Sequence, residues 1–356
     1  LWRLCGAEIP LPFLRRKETS MNLLFLGGTG NISSSVTQLC LSRGDEVWIV
    51  TRGKNVLPQS GRIHSIVCDV NDPDALLQVL HGKTFDAAID FICFTSQQAK
   101  EHTEALRGKV AHFIFISSCT VYQKPCLSLP ITEDTPLKNP FSSYARGKIA
   151  CELYFQQEYR EHDFPVTIVR PSHTYGETKL VVGPTMGWQV SHWTLVDRVL
   201  RGKPVVVHDT GRSRWTVTHS DDVAVGIVGL LGNRAAVGNS FHITGEVSYT
   251  WNEIMQTYGF LLGREVKIAA IPSQMLIRVN EELRAKLYGD MAENAIFCNR
   301  KIKQFVPEYA PSISLHEGLA RSLNWYWAHP KHQIADEEYN RWLDALISEW
   351  STYLYA

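Results

Sequence analysis

Met21-Asn22-Leu23-Leu24-Phe25-Leu26-Gly27-Gly28-Thr29-Gly30-Asn31-Ile32-Ser33 opens a stretch, running to Arg52, whose reading decides the fold. The apolar run Leu23–Leu26 reads as a strand, and Gly27 permits a tight turn off its end. Val36, Leu39 and Leu41 then follow at helical spacing, a Gly44-Asp45 turn closes the helix, and Val47-Trp48-Ile49-Val50 is a second strand. Strand, glycine turn, helix and strand within about thirty residues is the unit that binds dinucleotides. Gly30 lets the backbone approach a pyrophosphate, and the helix start at Asn31 and Ile32 offers N–H groups and the positive end of its dipole. The spacing is G-x-x-G-x-x-S, with Ser33 where a third glycine would ease helix–strand packing. An ordinary glycine-bearing β–α turn would read the same on these residues alone.

Outward from this unit the alternation continues. Ile63–Cys68 reads as a third strand ending at Asp69-Val70, and Asp72-Pro73-Asp74 opens a helix through Leu76, Leu77 and Leu80. Phe85–Cys93 and His112–Ile116 read as fourth and fifth strands, nearly continuous in apolar residues as doubly covered parallel strands are. A helix over about 143–158 leads to a sixth strand, Val166–Val169. The expected fold is α/β, a Rossmann-type doubly wound parallel sheet with a smaller, mainly helical C-terminal lobe. Residues 21–175 form the nucleotide-binding domain, with later contributions from about 203–245. Residues 176–202 and 246–330 form the substrate lobe, and 331–356 a terminal helix. Within the lobe, 251–262 and 272–287 read as helices. The last helix, about 335–350, puts Tyr339, Trp342, Leu343, Leu346 and Trp350 on one stripe, facing either its own domain or a second copy in a homodimer. Residues 1–20 lack the order of a secretory leader, because Arg15-Arg16-Lys17 follow the apolar residues. Met21 is the expected natural start, with the preceding segment a non-native or disordered extension.

The chain of 356 residues carries 36 Lys+Arg against 36 Asp+Glu, a balance that gives no electrostatic sign of nucleic-acid binding. Its eight cysteines are scattered without C-x-x-C, as reduced thiols of a cytoplasmic protein are. No stretch approaches the roughly eighteen apolar residues of a membrane span. His329-Pro330-Lys331-His332 lacks a third ligand at metal spacing, so no metal is expected.

Tyr144 and Lys148 stand four apart on one helix face. A tyrosine titrating near ~10 is a poor base at neutral pH, and a nearby ammonium draws it down. Ser118, just past the carboxyl end of the fifth strand, faces the crevice where a hydroxyl would hydrogen-bond a reacting oxygen. Each element alone has a bland counterpart, a surface lysine or a strand-end turn. Their order is what carries meaning: Gly27-x-x-Gly30, Cys68-Asp69-Val70, Ser118-x-x-Val121-Tyr122, Tyr144-x-x-x-Lys148, Arg170-Pro171-Ser172-His173-Thr174-Tyr175-Gly176, and Arg214-Trp215 leading to Asp221-Asp222-Val223-Ala224. In this order, over about 21–307, the chain resembles the extended and atypical branch of the short-chain dehydrogenase/reductases, the epimerases, dehydratases and reductases acting largely on sugars.

The resemblance implies Tyr144 as general acid/base, Lys148 on the nicotinamide ribose, and Ser118 on the reacting oxygen. It puts Asp69 and Val70 at the adenine, Pro171 beside the nicotinamide amide, and His173 and Arg214 on the substrate. Three departures matter. Ser33 replaces a glycine. The bulky Phe91-Ile92 stands where sugar epimerases carry small residues, narrowing the cofactor cleft or marking a shifted loop. The second strand ends Thr51-Arg52 with no acid, so Arg52, with Lys54, suits the 2′-phosphate of NADP, although NAD with Arg52 stacked on adenine fits the same residues. His173 reads equally as a core histidine, and Arg214 as a partner of Asp221 or Asp222. Trp188 and Trp193 read as sugar platforms or as core. The expected protein is an NAD(P)-dependent oxidoreductase of this type, taking a small-molecule sugar derivative, with no nucleic acid or membrane partner. The alternative is a dinucleotide-sensing or RNA-binding relative without turnover.

Overall fold

The computed structural model describes residues 20–54, 60–187 and 189–355. The expectations for residues 1–19 and for Trp188 lie outside the described residues. The first half runs β1 (Asn22–Leu26), α1 (Asn31–Arg43), β2 (Glu46–Thr51), β3 (Ile63–Val67), α2 (Pro73–Val79), β4 (Ala87–Asp90), α3 (Ser96–Leu106), β5 (Phe113–Ile116), α4 (Ser143–His162) and β6 (Val166–Pro171). The second half begins with β7 (His173–Tyr175), α5 (Trp193–Leu200), β8 (Val205–His208), β9 (Arg214–Trp215), β10 (Val217–His219), α6 (Ser220–Leu230) and β11 (Ser240–Ile243). It ends with β12 (Tyr249–Thr250), α7 (Trp251–Leu262), β13 (Ile268–Ile271), α8 (Ser273–Val279), α9 (Leu283–Lys286), α10 (Arg300–Phe305), α11 (Leu315–Ala328) and α12 (Glu337–Tyr355).

Seven strands form one parallel sheet in the order β11-β6-β5-β4-β1-β2-β3. The order reverses between β1 and β4, the switch point at which such sheets bind ligands beyond their carboxyl ends. The period-2 alternation of β1 explains the double covering. Leu23 and Phe25 enter one buried cluster with Val47, Ile49 and Val223. Leu24 and Leu26 enter the opposite one with Val50, Phe113 and Phe155.

A third cluster fills the C-terminal lobe around Tyr175, Trp193, Trp215, Trp251 and Leu319. The stripe of α12 packs into it: Tyr339, Leu343 and Leu346 are buried, with Trp342 and Trp350 half-buried against them. The sequence expectation of one helix over 272–287 is corrected here. Asn280 is extended, so the segment splits into α8, α9 and a wider turn over Leu287–Met291. Arg198 of α5, 1% exposed, donates to Asn340 Oδ1 at 3.0 Å and to Asp344 Oδ1 at 2.8 Å, tying α12 to the lobe. No helix among the described residues is long and apolar enough to cross a membrane. The seven described cysteines are free thiols, five of them buried.

Candidate active site

The glycine turn leaves β1 with Gly27 at φ +76°, a conformation that favours glycine. A Cβ on Gly27 would stand 2.8 Å from Ile92 Cγ2, and one on Gly28 2.4 Å from Ile49 Cγ2. Gly30 is different, because a Cβ there would meet only Ser33 Oγ, at 3.5 Å. The turn is thus packed tightly behind and open in front of the α1 N-terminus, where the first-turn N–H groups lack helical acceptors. This arrangement fits a pyrophosphate. Ser33 sits at the third helical position and accepts the Gly30 N–H on Oγ at 2.8 Å, so the residue in the third glycine's place caps the helix from within.

Phe91 and Ile92 extend β4 past Asp90. Phe91 packs edge-on against Phe25, ring centroids 5.6 Å apart, while Ile92 lies on the glycine turn. Their bulk goes mostly into packing beneath the turn. Across the cleft, Thr51 closes β2 by accepting the Cys68 N–H on its carbonyl at 3.0 Å. Arg52 and Lys54 follow it, exposed, and Asp69 is exposed beside them. The Asp69 carboxyl is held below its usual range, first by the Asn71 N–H and also by the charges of Arg52 and Lys54.

α4 starts at an N-cap, Ser142, whose Oγ accepts the Ala145 N–H at 3.2 Å. Tyr144 is therefore in its first turn and Lys148 in its second. Gly147 between them is required by proximity: a Cβ would lie 2.4 Å from the Phe94 carbonyl oxygen. Lys148 is 2% exposed and donates to the carbonyls of Cys93 and Ile116, each at 2.7 Å. Two of its three donors are so used. Its ammonium lies over the Phe94 and Phe115 rings at 4.5 and 4.9 Å, and burial lowers its pKa. Ser118 caps the short turn after β5, accepting the Thr120 N–H at 3.2 Å and the Thr120 hydroxyl at 3.0 Å, and it lies near enough to Tyr144 to lower the pKa of the phenol.

Tyr144, Ser118 and Lys148 are therefore brought together, with one electrostatic difference from expectation. The Tyr144 phenol is pushed up to about 12 by burial, while only the Ser118 hydrogen bond pulls it down. Lys148 Nζ, 5.9 Å from the Tyr144 ring centroid, spends its charge on carbonyls and other rings. Tyr144 is 42% exposed and borders the cleft, its ring 6.2 Å from that of Phe94 between centroids.

Beneath Ser118, a network that the motifs did not reveal holds the end of β5 to β6. Arg170 donates from Nη2 to Glu152 at 2.6 Å and from Nε at 3.0 Å, and Ser117 donates to the same carboxylate at 2.5 Å. Pro171 follows Arg170, buried at the end of β6.

His173 packs against Trp215 with the rings tilted by 39° and centroids 4.6 Å apart, and its Nε2 is buried without a hydrogen-bond partner. Burial, then Lys179, His192 and Lys286, press its pKa well below the ordinary value. His192 is likewise lowered to about 4, and Lys286 to about 8, both first by burial. Asp290, whose charge reaches Tyr144 and Lys286, is raised to about 6 by burial. Lys179, Lys286 and Asp290 carry no motif and were not singled out in the sequence. Arg214 pairs with neither Asp221 nor Asp222. It donates to the Ser248 carbonyl at 2.8 Å, while Asp221 meets Arg321 at 3.3 Å and Asp222 accepts the Ser312 and Ile313 N–H groups at 3.2 and 3.1 Å. Trp193 is 4% exposed against Tyr326 and Trp327, in the core.

Comparison with known proteins bears on the fold and the family. A reductase named for 2′-dehydrokanamycin from Streptomyces kanamyceticus is 25% identical over 274 residues, 76% of this chain and 74% of that one. A chloroplast stem-loop binding protein of 41 kDa from Arabidopsis thaliana is 24% identical over 86% of this chain and 79% of its own. Among solved structures, an epimerase from Methanothermobacter thermautotrophicus superposes with a TM-score of 0.73 at 17% identity, covering 88% of this chain and 94% of that one. UDP-glucuronic acid 4-epimerase from Bacillus cereus, solved with UDP-glucuronic acid and NAD, gives 0.69 at 19% identity over 86% and 99%. The model of the NAD dependent epimerase/dehydratase family matches residues 23–244, the sheet with its glycine turn and its Tyr144–Lys148 helix, and the chain belongs to that family.

Proposed function

We propose that the chain catalyses hydride transfer at a carbinol carbon of a sugar derivative bearing an anionic group, and that it favours carbonyl reduction with NADP(H). The observation that carries this is the placement of Tyr144 and Ser118 side by side at the carboxyl edge of β5, with Lys148 buried behind them. The dinucleotide, when bound, supplies or takes up the hydride. Gly27, Gly30, Asn31 and Ile32 would hold its pyrophosphate, Thr51 and Arg52 its adenosine ribose, and Asp69 and Val70 its adenine. Phe91, Ile92, Lys148 and Pro171 would line the remainder. A phenol held protonated is suited to giving its proton to a substrate oxygen that becomes an alcohol. Ser118 would hydrogen-bond the same oxygen, and the remaining Lys148 N–H would meet the ribose. Exposed Arg52 and Lys54, with no acid at the end of β2, support the 2′-phosphate.

The substrate reading rests on the buried cluster around His173 and His192. Lys179 and Lys286 lie close enough to His173 and His192 for their charges to depress both, and burial costs both ammonium groups. Asp290 offsets part of this charge at Lys286, and an anionic group on the substrate would offset more, which favours a nucleotide-linked or acidic sugar.

The test is nicotinamide absorbance with NADPH or NADH and a panel of keto sugars, nucleotide-linked, acidic and neutral. Substrate-dependent oxidation that disappears in Tyr144→Phe is expected; full activity in that variant sinks the reading. Product analysis separates reduction from epimerisation, which would return the nucleotide unchanged. RNA binding without turnover is the second reading, favoured only by the likeness to the stem-loop binding protein. Hairpin RNA retained by the full chain at physiological salt, without dinucleotide binding, would select it.

A further inference from the structure

α3 lies outside the motif order, yet two of its side chains hold the loop between β3 and α2. Gln98 and His102 stand four apart on one face. Gln98 Oε1 accepts the N–H groups of Phe94 and Thr95 at 2.8 and 3.1 Å, which fixes the loop leaving β4. Its Nε2 donates to Asn71 Oδ1 at 2.6 Å in the other loop. Asn71 in turn donates to Asp69 Oδ1 from its backbone at 3.1 Å and its side chain at 2.9 Å.

His102 repeats this bridge one turn deeper. Its Nδ1 lies 2.6 Å from Asp90 Oδ2 at the end of β4, and its Nε2 3.3 Å from the Val70 carbonyl oxygen. His102 and Asp90 are completely buried. Both ring nitrogens face oxygen atoms, an arrangement that favours the doubly protonated ring. Burial opposes that charge, and the Asp90 carboxylate outweighs it. Asp90 Oδ1 accepts the Ile92 N–H at 3.0 Å, which carries the connection to the residue lying on the glycine turn.

We infer that Gln98 and His102 are positioning residues that clamp the β4–α3 loop to the β3–α2 loop and so fix Asp69 and Val70 for the adenine half of the dinucleotide. The inference rests on the dinucleotide reading above. Both ties end directly on the loop that carries Asp69 and Val70, whereas they reach Tyr144 and Lys148 only through Phe94, so the clamp acts more strongly on the adenine half of the cofactor than on the nicotinamide half.

The experiment compares the full chain with Gln98→Leu and His102→Gln, titrated with ADP-ribose and, separately, with nicotinamide mononucleotide. Gln98 is only half-buried, so its variant keeps the test open should the His102 variant fail to fold. Loss of one such tie is expected to raise the ADP-ribose Kd about tenfold, weaken nicotinamide mononucleotide by clearly less, and raise KM for the dinucleotide more than it lowers kcat. Unchanged ADP-ribose affinity in a folded Gln98→Leu overturns the inference, as does equal weakening of both halves. Wild-type protein that binds neither half overturns the dinucleotide reading itself, a distinguishable failure.

Discussion

Replacing Lys148 by Met should abolish turnover and also destabilise the fold, a combination unlike that expected for Tyr144→Phe. The ammonium is 2% exposed and donates to two main-chain carbonyls at 2.7 Å, those of Cys93 and Ile116. Methionine fills the volume and leaves both oxygens buried without that donor. Two charge-assisted hydrogen bonds are worth about 1.5–3 kcal/mol each. Burying the ammonium costs part of this, as its lowered pKa shows, so the net loss is roughly 2–4 kcal/mol. An unfolding entropy of about 2.1 cal/mol/K per residue amounts to roughly 0.7 kcal/mol/K for a chain of this size, which makes a loss of ~3 kcal/mol about 4 °C in Tm. Differential scanning calorimetry of wild type, Lys148→Met and Tyr144→Phe measures it. Tyr144→Phe should keep the wild-type Tm within about 1 °C while losing about 10²–10⁴-fold in kcat. A Lys148→Met protein as stable as wild type would refute the reasoning, because the two carbonyls would then have no need of the ammonium.

Three further outcomes are expected. Arg52→Ala should raise KM for NADPH about tenfold or more and leave NADH nearly unchanged, read from paired titrations; equal effects would remove Arg52 from the 2′-phosphate. Arg170→Met should cost about 3–5 kcal/mol in denaturant unfolding because it strands the buried Glu152 carboxylate, and adding Glu152→Gln should recover part of it. KM for an anionic substrate should rise as pH passes about 8, where Lys286 discharges, and the Lys286→Met profile should be flat there. Its pKa is lower folded than the ordinary 10.5, so the unfolded chain binds more protons between these values. The fold therefore gains stability over that interval, and unfolding cannot account for the lost affinity.

The elements read from sequence were those whose apolar period is strong. β1, β2 and β5 are apolar runs that fill both faces of the sheet, and Gly27, whose φ is positive, marks the turn between β1 and α1. Trp251–Leu262 matched to the residue because Thr250 and Glu253 form a capping box and Gly263 ends the helix. α3 escaped because Ser-Gln-Gln-Ala-Lys-Glu-His-Thr-Glu is largely polar. Its signal was a cap instead, Thr95 with Gln98 three residues on. α11 escaped as well, although Ser314 caps it. At the site, Tyr144, Lys148 and Ser118 lie within short spacings that a pattern can carry. Lys179 meets Lys286 and His173 from a distant segment, and His102 meets Asp90 and the Val70 carbonyl across two loops, contacts of which spacing holds no trace. The Tyr144 phenol shows the same boundary: its neighbours in sequence suggested a lowered pKa, and its neighbours in space raise it.

The bond between Arg198 and α12 bears on how the chain is made. Arg198 leaves the ribosome about 140 residues before Asn340 and Asp344, a delay of roughly ten to thirty seconds at ordinary synthesis rates. During that time the sheet half can close around its own two cores, because every strand of it has been made once Ile243 emerges. The lobe cannot, since its guanidinium has no carboxylate from α12 and its apolar wall has no Leu343 or Leu346 against it. The nascent protein thus passes through a stage in which a finished nucleotide-binding half carries an open, greasy second half. That interval is when a holding chaperone would find something to grip, and a stop codon before α12 would make the stage permanent.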